Sequence, residues 1–182
     1  MSAGSSPRPA VFFDRDGTLI DAPIVDGRPR AVRDVGSITL VRGARQVCGE
    51  LEELGVPLFV VTNQPDVARG LTTQYVVEQI DGAVVQALRI TDLAVCWADD
   101  DDDPRRKPNP GLILELAERH GIDLARSVTV GDRWRDIEAG RRAGTKTVFV
   151  DRDYDEQQPD APDLVVRELD EALDWIREQL GV

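Results

Sequence analysis

Short β-branched and aromatic runs alternate along this chain with amphipathic helical stretches, and that alternation points to an α/β domain on a mainly parallel sheet. The spacing predicts strands at Ala10–Asp14, Leu58–Thr62, Leu93–Trp97, Ser127–Val130 and Thr147–Val150, with a further short one at Leu164–Val166. Ala44, Val47, Cys48, Leu51 and Leu54 share one face of a helix that Gly55 ends. Val76, Ile80, Val84 and Leu88 mark a second helix over Thr73–Leu88. A third begins with Asn109 as N-cap and Pro110 in its first position and closes at His120-Gly121. A fourth spans Arg133–Ala143 and a last one Leu169–Leu180.

At 182 residues the chain can bury one core without metal or disulfide staples, and Cys48 and Cys96 read as small hydrophobes within apolar segments. Met1–Pro9, rich in Ser, Gly and Pro, reads as a disordered leader, and residues 10–182 as a single domain. The polar segment of about 21–42, with Pro23 and Pro29, reads as a flap or short hairpin able to cover a site. No apolar run approaches the roughly 20 residues that span a bilayer, so the expected location is cytoplasmic, with no membrane partner. A net charge of −12 opposes general attraction to nucleic acid.

The chemistry gathers at predicted strand ends, where open α/β sheets place their ligands. The first strand runs into Asp14-Arg15-Asp16-Gly17-Thr18, so two carboxylates can approach one reacting group while Gly17 lets the backbone turn. The second ends in Thr62-Asn63-Gln64, a hydroxyl followed by two amides. Lys107 precedes the third helix and can bring an ammonium to a phosphoryl oxygen. The fourth strand ends in Gly131-Asp132, with Asp136 about one helical turn further on.

In this order the stations resemble the four motifs of the haloacid dehalogenase (HAD) superfamily, and the resemblance covers Val11 to Val150. It implies a Rossmann-like core with strand order 5-4-1-2-3 and no large cap domain. It also implies a magnesium-dependent phosphatase in which Asp14 is the covalent nucleophile and Asp16 the acid/base. Thr62 and Lys107 would hold phosphoryl oxygens. Asp14, the Asp16 backbone carbonyl and Asp132 would hold Mg2+. Asp136 either orients Lys107 or the surroundings of Asp132, or is an ordinary solvated helix carboxylate.

Asp14–Thr18, Thr62-Asn63-Gln64, Ala68-Arg69-Gly70 and Arg106-Lys107-Pro108 resemble the branch of heptose-1,7-bisphosphate 7-phosphatases and the histidinol-phosphatase domain. That implies a monomer acting on a small phosphorylated metabolite, a heptose bisphosphate first, with histidinol phosphate or another sugar phosphate as the alternative. Arg15, Asn63, Gln64, Arg69, Arg106, Lys107 and Arg133 are the substrate-binding candidates. Net charge argues against a polynucleotide 3′-phosphatase, and survival of all four stations against a catalytically silent binding module.

Two departures from the branch stand out. Its zinc loop, Cys-x-His followed by Cys-x-Cys, is reduced here to Cys96 with Ala98, Asp103 and Arg105, so no zinc is expected. In its place Asp99–Asp103 read as a mobile turn of solvated, mutually repelling acids, with cation binding as the lesser alternative. The segment after Thr18 is also more apolar than the branch's substrate loop, which leaves the substrate open. His120 is expected to serve the end of its helix, and Trp134 is the tryptophan expected to line the site.

Overall fold

The computed structural model describes residues 7–182. Strand β1, Val11–Phe13, is followed by a hairpin of β2 (Ile24–Val25) and β3 (Arg28–Pro29). Helix α1 (Ala44–Glu53), β4 (Leu58–Asn63), α2 (Gln74–Leu88), β5 (Asp92–Cys96) and α3 (Gly111–His120) come next. The chain ends with β6 (Val128–Gly131), α4 (Trp134–Ala143), β7 (Lys146–Val150), β8 (Leu164–Val166) and α5 (Leu173–Leu180). A six-stranded sheet runs β5-β4-β1-β6-β7-β8 with every neighbouring pair parallel. This is the expected order, extended at one edge by β8.

β1 sits in the centre because Val-Phe-Phe is buried on both faces, as a strand with helices on either side must be. Alternate residues point to opposite sides. Val11 and Phe13 pack with α1, α2 and α5 residues such as Leu51, Ile80 and Ile176. Phe12 packs with Phe59, Leu112, Leu116 and Ala139 on the side of α3 and α4. Phe12 and Phe59 stack with centroids 5.2 Å apart, and His120 lies against Phe59 at 4.9 Å. His120 ends α3 before Gly121, as expected, and its Nε2 also lies 2.8 Å from Asp92 Oδ2.

Several boundaries differ from the sequence reading. Pro110, not Asn109, occupies the cap position of α3, because the Asn109 amide is used on the preceding loop. The last helix opens as a 3-10 turn over Leu169–Ala172 before α5. The expected leader falls partly on residues 1–6, outside the described residues. Within its remainder, Arg8 makes an isolated bridge to Ile122, its N–H donating to Gly121 O and its carbonyl accepting from Asp123 N, so the chain is tied down before Ala10.

The polar segment forms the expected hairpin, turning through Asp26 and Gly27 with φ of 51° and 72°, both in the left-handed region that two-residue hairpin loops use. It is docked to the far side of the site. Asp155 N donates to Gly27 O at 2.9 Å and Arg28 Nε to Asp155 O at 3.3 Å.

Two helix glycines separate propensity from packing. A Cβ on Gly140 would lie 2.7 Å from Thr129 Cβ, whereas one on Gly82 would meet nothing within 4 Å. Gly82→Ala should stabilise the fold by about 0.5–1 kcal/mol through helix propensity. Gly140→Ala should destabilise it by about 1–3 kcal/mol through overpacking. Chemical denaturation midpoints check both signs, and a stabilising Gly140→Ala would mean that α4 is not pressed against β6 as described.

Candidate active site

Asp14 follows β1, and its backbone N–H donates to Val130 O at 2.9 Å, which fixes it between the ends of β4 and β6. Gly17 then turns the chain at φ 90°, where its N–H donates to Ile20 O at 2.7 Å. A Cβ on Gly17 would stand 2.0 Å from Asp132 Oδ2, so glycine is required by space as well as by conformation. The next residue, Thr18, donates its hydroxyl to Asp132 Oδ1 at 3.1 Å.

Lys107 is buried and its ammonium has a full set of partners. Nζ lies 2.6 Å from Asp14 Oδ1, 2.7 Å from Val61 O and 2.6 Å from Asp136 Oδ1. Asn63 holds the lysine's backbone from both sides, accepting from Lys107 N at 3.1 Å and donating to Lys107 O at 3.0 Å. Asp136, in the first turn of α4, also accepts from Arg133 N at 3.0 Å and so caps its own helix. A Cβ on Gly131 would meet Asp136 Cβ at 2.2 Å, so this glycine lets α4 approach the sheet.

Carboxylate oxygens of Asp14, Asp132 and Asp136 lie within 4.8 Å of one another. Burial raises the Asp14 pKa to about 6, with Lys107 opposing the rise and Asp136 and Asp16 adding to it. Asp132 is raised well above the usual carboxylate range by burial and then by Asp14 and Asp136. Lys107 is raised: burial acts to lower it, but Asp136 and Asp14 outweigh that. One ammonium among these acids leaves net negative charge, and Asp132 Oδ2, buried beside the Tyr154 hydroxyl, meets no donor in hydrogen-bonding geometry among the described residues. Hard oxygen donors, excess negative charge and an orphaned carboxylate oxygen fit a divalent cation such as Mg2+.

Asp16 is tightly held. Oδ2 accepts from Arg15 Nε at 3.1 Å, Arg15 Nη2 at 2.8 Å and Gln64 Nε2 at 2.8 Å, while Oδ1 accepts from Val32 N at 3.1 Å. Gln64 Nε2 also donates to Thr62 Oγ1 at 2.9 Å. Asp14, Asp16, Thr62, Asn63, Lys107 and Asp136 line a cavity of about 70 Å³ roofed by Pro29–Ala31, with Arg133 and Arg135 on its wall. It shares the roof, Asn63, Arg133 and Arg135 with a wider cleft of about 280 Å³ that also carries Arg28, Arg69 and Arg106.

The HAD-hydrolase-like family model matches residues 104–172. A D-glycero-beta-D-manno-heptose-1,7-bisphosphate 7-phosphatase of Rhodopseudomonas palustris is 31% identical over 157 residues, 79% of this chain and 84% of that protein. This chain belongs to the HAD phosphatases. The protein of the same name from Mesorhizobium japonicum is 34% identical over 150 residues, which is 75% of this chain and just under two thirds, 66%, of that protein. Among solved structures, a HAD-like phosphatase from Mesorhizobium loti superposes with a TM-score of 0.76 at 30% identity, covering 96% of this chain and 88% of that one. The fold also matches a D,D-heptose 1.7-bisphosphate phosphatase from B. bronchiseptica complexed with magnesium and phosphate, at a TM-score of 0.79 and 24% identity, over 94% and 99% of the two chains.

In this HAD phosphatase, Asp14, Asp16, Thr62, Asn63, Lys107, Asp136 and Arg133 meet at the cavity, and Asp132 stands beside Asp14 just behind it. Asp136 takes the first of its two readings, since it orients Lys107. Two other expectations, for Arg15 and Gln64, need correction. Arg15 is fully buried and turned away from the cavity, because Asp16 and Asp81 neutralise it inside the core. Gln64 is likewise buried and holds Asp16 and Thr62 in place of a ligand. The Asn63 amide is taken up by the Lys107 backbone, although the residue does line the cavity. Arg69 and Arg106 belong to the outer cleft, where both pair with Asp99.

The acid run is not the mutually repelling turn that its composition suggests. Arg106 Nε and Arg135 Nη1 reach Asp101 Oδ1 at 3.0 and 3.2 Å, and Arg69 pairs with Asp99. Asn109 Nδ2 donates to the carbonyls of Asp101 and Asp103 at 3.1 and 2.9 Å. Trp134 does not line the cavity; Arg135 does, and its guanidinium lies 4.7 Å from the Trp134 ring centroid. Sequence reasoning also passed over Thr18, Arg30, Arg135, Tyr154 and Asp81. The Asp81 position does carry a signal, an acid inside the apolar stripe of α2. Tyr154 comes from a loop far along the chain, and burial and Asp132 together raise its pKa.

Lys107→Met should destabilise the protein by about 3–5 kcal/mol, because Asp14 and Asp136 would stay buried without their counter-charge. Adding Asp136→Asn should recover part of that loss. Urea denaturation of the single and double variants measures it, and a fully additive double variant would show that the pair does not interact.

Proposed function

We propose that this chain is a magnesium-dependent phosphomonoesterase that passes the phosphoryl group through Asp14 and acts on a small sugar phosphate bearing a second anionic group, a heptose bisphosphate first. The observation that carries this is the convergence of Asp14, Lys107 and Asp132 beside a small polar cavity that adjoins an arginine-lined cleft. Asp14 and Asp132, with the Asp16 backbone carbonyl, would hold Mg2+, which when bound supplies positive charge against the phosphate oxygens. Both Asp136 oxygens are engaged, by Lys107 and by Arg133 N, so this acid serves the lysine.

In the first displacement a bond forms between an Asp14 oxygen and phosphorus as the bond to the leaving oxygen breaks. Asp16 Oδ1, which among the described residues accepts only from Val32 N, gives that oxygen its proton. In the second, Asp16 takes a proton from water, the water oxygen bonds to phosphorus and the Asp14 carboxylate is released. Thr62 Oγ1 accepts from Gln64, so its own hydrogen is available for a phosphoryl oxygen, and Lys107 provides charge on the same wall.

Arg28 and Arg30 make no ion pair among the described residues, and Arg30 borders both cavity and cleft. This unspent charge in a chain of net charge −12 supports a second anionic group on a small substrate and opposes a polynucleotide. No helix among the described residues is long and apolar enough to cross a membrane. We place the enzyme in the cytoplasm as a monomer. Zinc has no role in this reading: only Cys96 remains of its ligand set, and arginines and Asn109 hold the loop.

With an aryl phosphate, Asp14→Asn should abolish turnover, and Asp16→Ala should lower it by about 10²–10⁴-fold. Chelation should stop the reaction, and magnesium alone, without zinc, should restore it. Near-normal turnover in Asp14→Asn, or recovery that requires zinc, would overturn the mechanism.

Specificity is checked with Arg28→Met, at an arginine of the outer cleft that does not line the catalytic cavity. Loss of a charge-assisted contact of about 1.5–3 kcal/mol should lower kcat/KM by roughly 10–100-fold for a sugar bisphosphate. The monophosphate of the same sugar should lose much less. Equal losses on the two substrates would remove the second anionic group from the proposal.

A further inference from the structure

Asp81 stands where a core residue belongs. On α2 it shares a stripe with Val77, Ile80 and Val84, all buried, and is itself only 5% exposed. A carboxylate there is costly unless it is paired. Its partner is Arg15, which is fully buried. Arg15 Nη1 donates to Asp81 Oδ1 at 2.7 Å, while Nε and Nη2 of the same rigid fork reach Asp16 Oδ2 at 3.1 and 2.8 Å. Neither Arg15 nor Asp81 lines the catalytic cavity.

We infer that Asp81 is a positioning residue for phosphoryl transfer: through Arg15 it fixes the orientation in which Asp16 presents Oδ1 to the leaving oxygen. This rests on Asp16 being the acid/base of the proposed phosphatase. Oδ2 is saturated by Arg15 and Gln64, so the carboxylate cannot rotate without losing several donors together. Oδ1 has one donor and keeps capacity for the proton. Arg15 holds this arrangement only while its own far edge is pinned, and Asp81 is the side chain that pins it. Without that anchor the guanidinium gains freedom and the Asp16 carboxylate turns with it. The step affected is the first, in which the phosphorus–oxygen bond to the leaving group breaks and that oxygen takes the proton of Asp16.

The test compares Asp81→Asn with the unmodified enzyme, with magnesium present, on phosphate esters from acidic phenols to alkyl alcohols. kcat/KM reports the first step, and a poorly acidic leaving group needs the proton most. The loss should grow along the series, from a few-fold for the most acidic phenol to about 10–100-fold for an alkyl phosphate, a share of what a general acid contributes. Partial unfolding removes active molecules equally for every substrate, so it cannot change the slope. In an Asp16→Ala background, Asp81→Asn should add no further slope, since residues acting through one group are not additive. A parallel loss across the series, or a steeper slope that persists without Asp16, would overturn the inference while leaving the phosphatase reading intact. Absence of phosphatase activity in the unmodified enzyme would overturn both.

Discussion

The ammonium of Lys107 is the point on which the site closes. It bridges Asp14 beyond β1, a carbonyl of β4 and Asp136 of α4, so one charge joins three elements far apart in sequence. Removing that charge from water is expensive, and the cost is offset only because every donor finds a short, charged or carbonyl acceptor. The lysine therefore cannot be placed loosely. Asn63 grips its backbone on both sides, and Asp136 is held by its own helix terminus. The acids still outnumber the ammonium, and burial first, with the neighbouring acids adding to it, raises the pKa values of Asp14 and Asp132. Structural pairing and affinity for a cation thus have one origin.

The loop before Lys107 is held by ion pairs and hydrogen bonds from several segments. Asp101 and Asp99 are exposed, and ion pairs at such positions contribute at most about 1 kcal/mol each. More of the order comes from uncharged bonds: Asn109 binds the Asp101 and Asp103 carbonyls, and Gly111 N donates to Pro104 O at 3.0 Å. That close approach excludes a side chain at Gly111, where a Cβ would lie 2.3 Å from Pro104 O. The arginines add direction. By holding Arg106 and Arg135, Asp101 helps set which guanidinium groups border the cleft.

What the sequence revealed and what it hid divide along physical lines. Asp14, Thr62 and Asp132 were legible because strand ends in a parallel sheet converge, so position along the chain implies position in space, whereas Lys107, which precedes a helix, was legible through the resemblance to the HAD motifs. The strand order came with the resemblance to the HAD core. Arg15 was misread because adjacency in sequence to Asp14 says nothing about direction, and successive residues at a strand end point to opposite sides. The acid run was misread because local composition does not disclose partners such as Arg69 and Arg135, which come from distant segments. Asn109 looked like a helix cap because its amide was judged against the following helix alone.

Asp16 and the hairpin segment are coupled by one bond. Val32 N donates to Asp16 Oδ1 at 3.1 Å, and the residues just before it, Pro29–Ala31, roof the cavity. The hairpin on the other side is anchored to Asp155, and Glu156 next along pairs with Arg133 at 2.8 Å. A ligand that displaced Arg30 or Ala31 would pull on the backbone that orients the carboxylate. The same segment therefore borders the cavity and helps set the direction of the proposed acid, so a displacement at one would be felt at the other. Arg15, Gln64 and Val32 hold Asp16 from three directions, which is why a side chain as remote as Asp81 can matter to an atom it never touches.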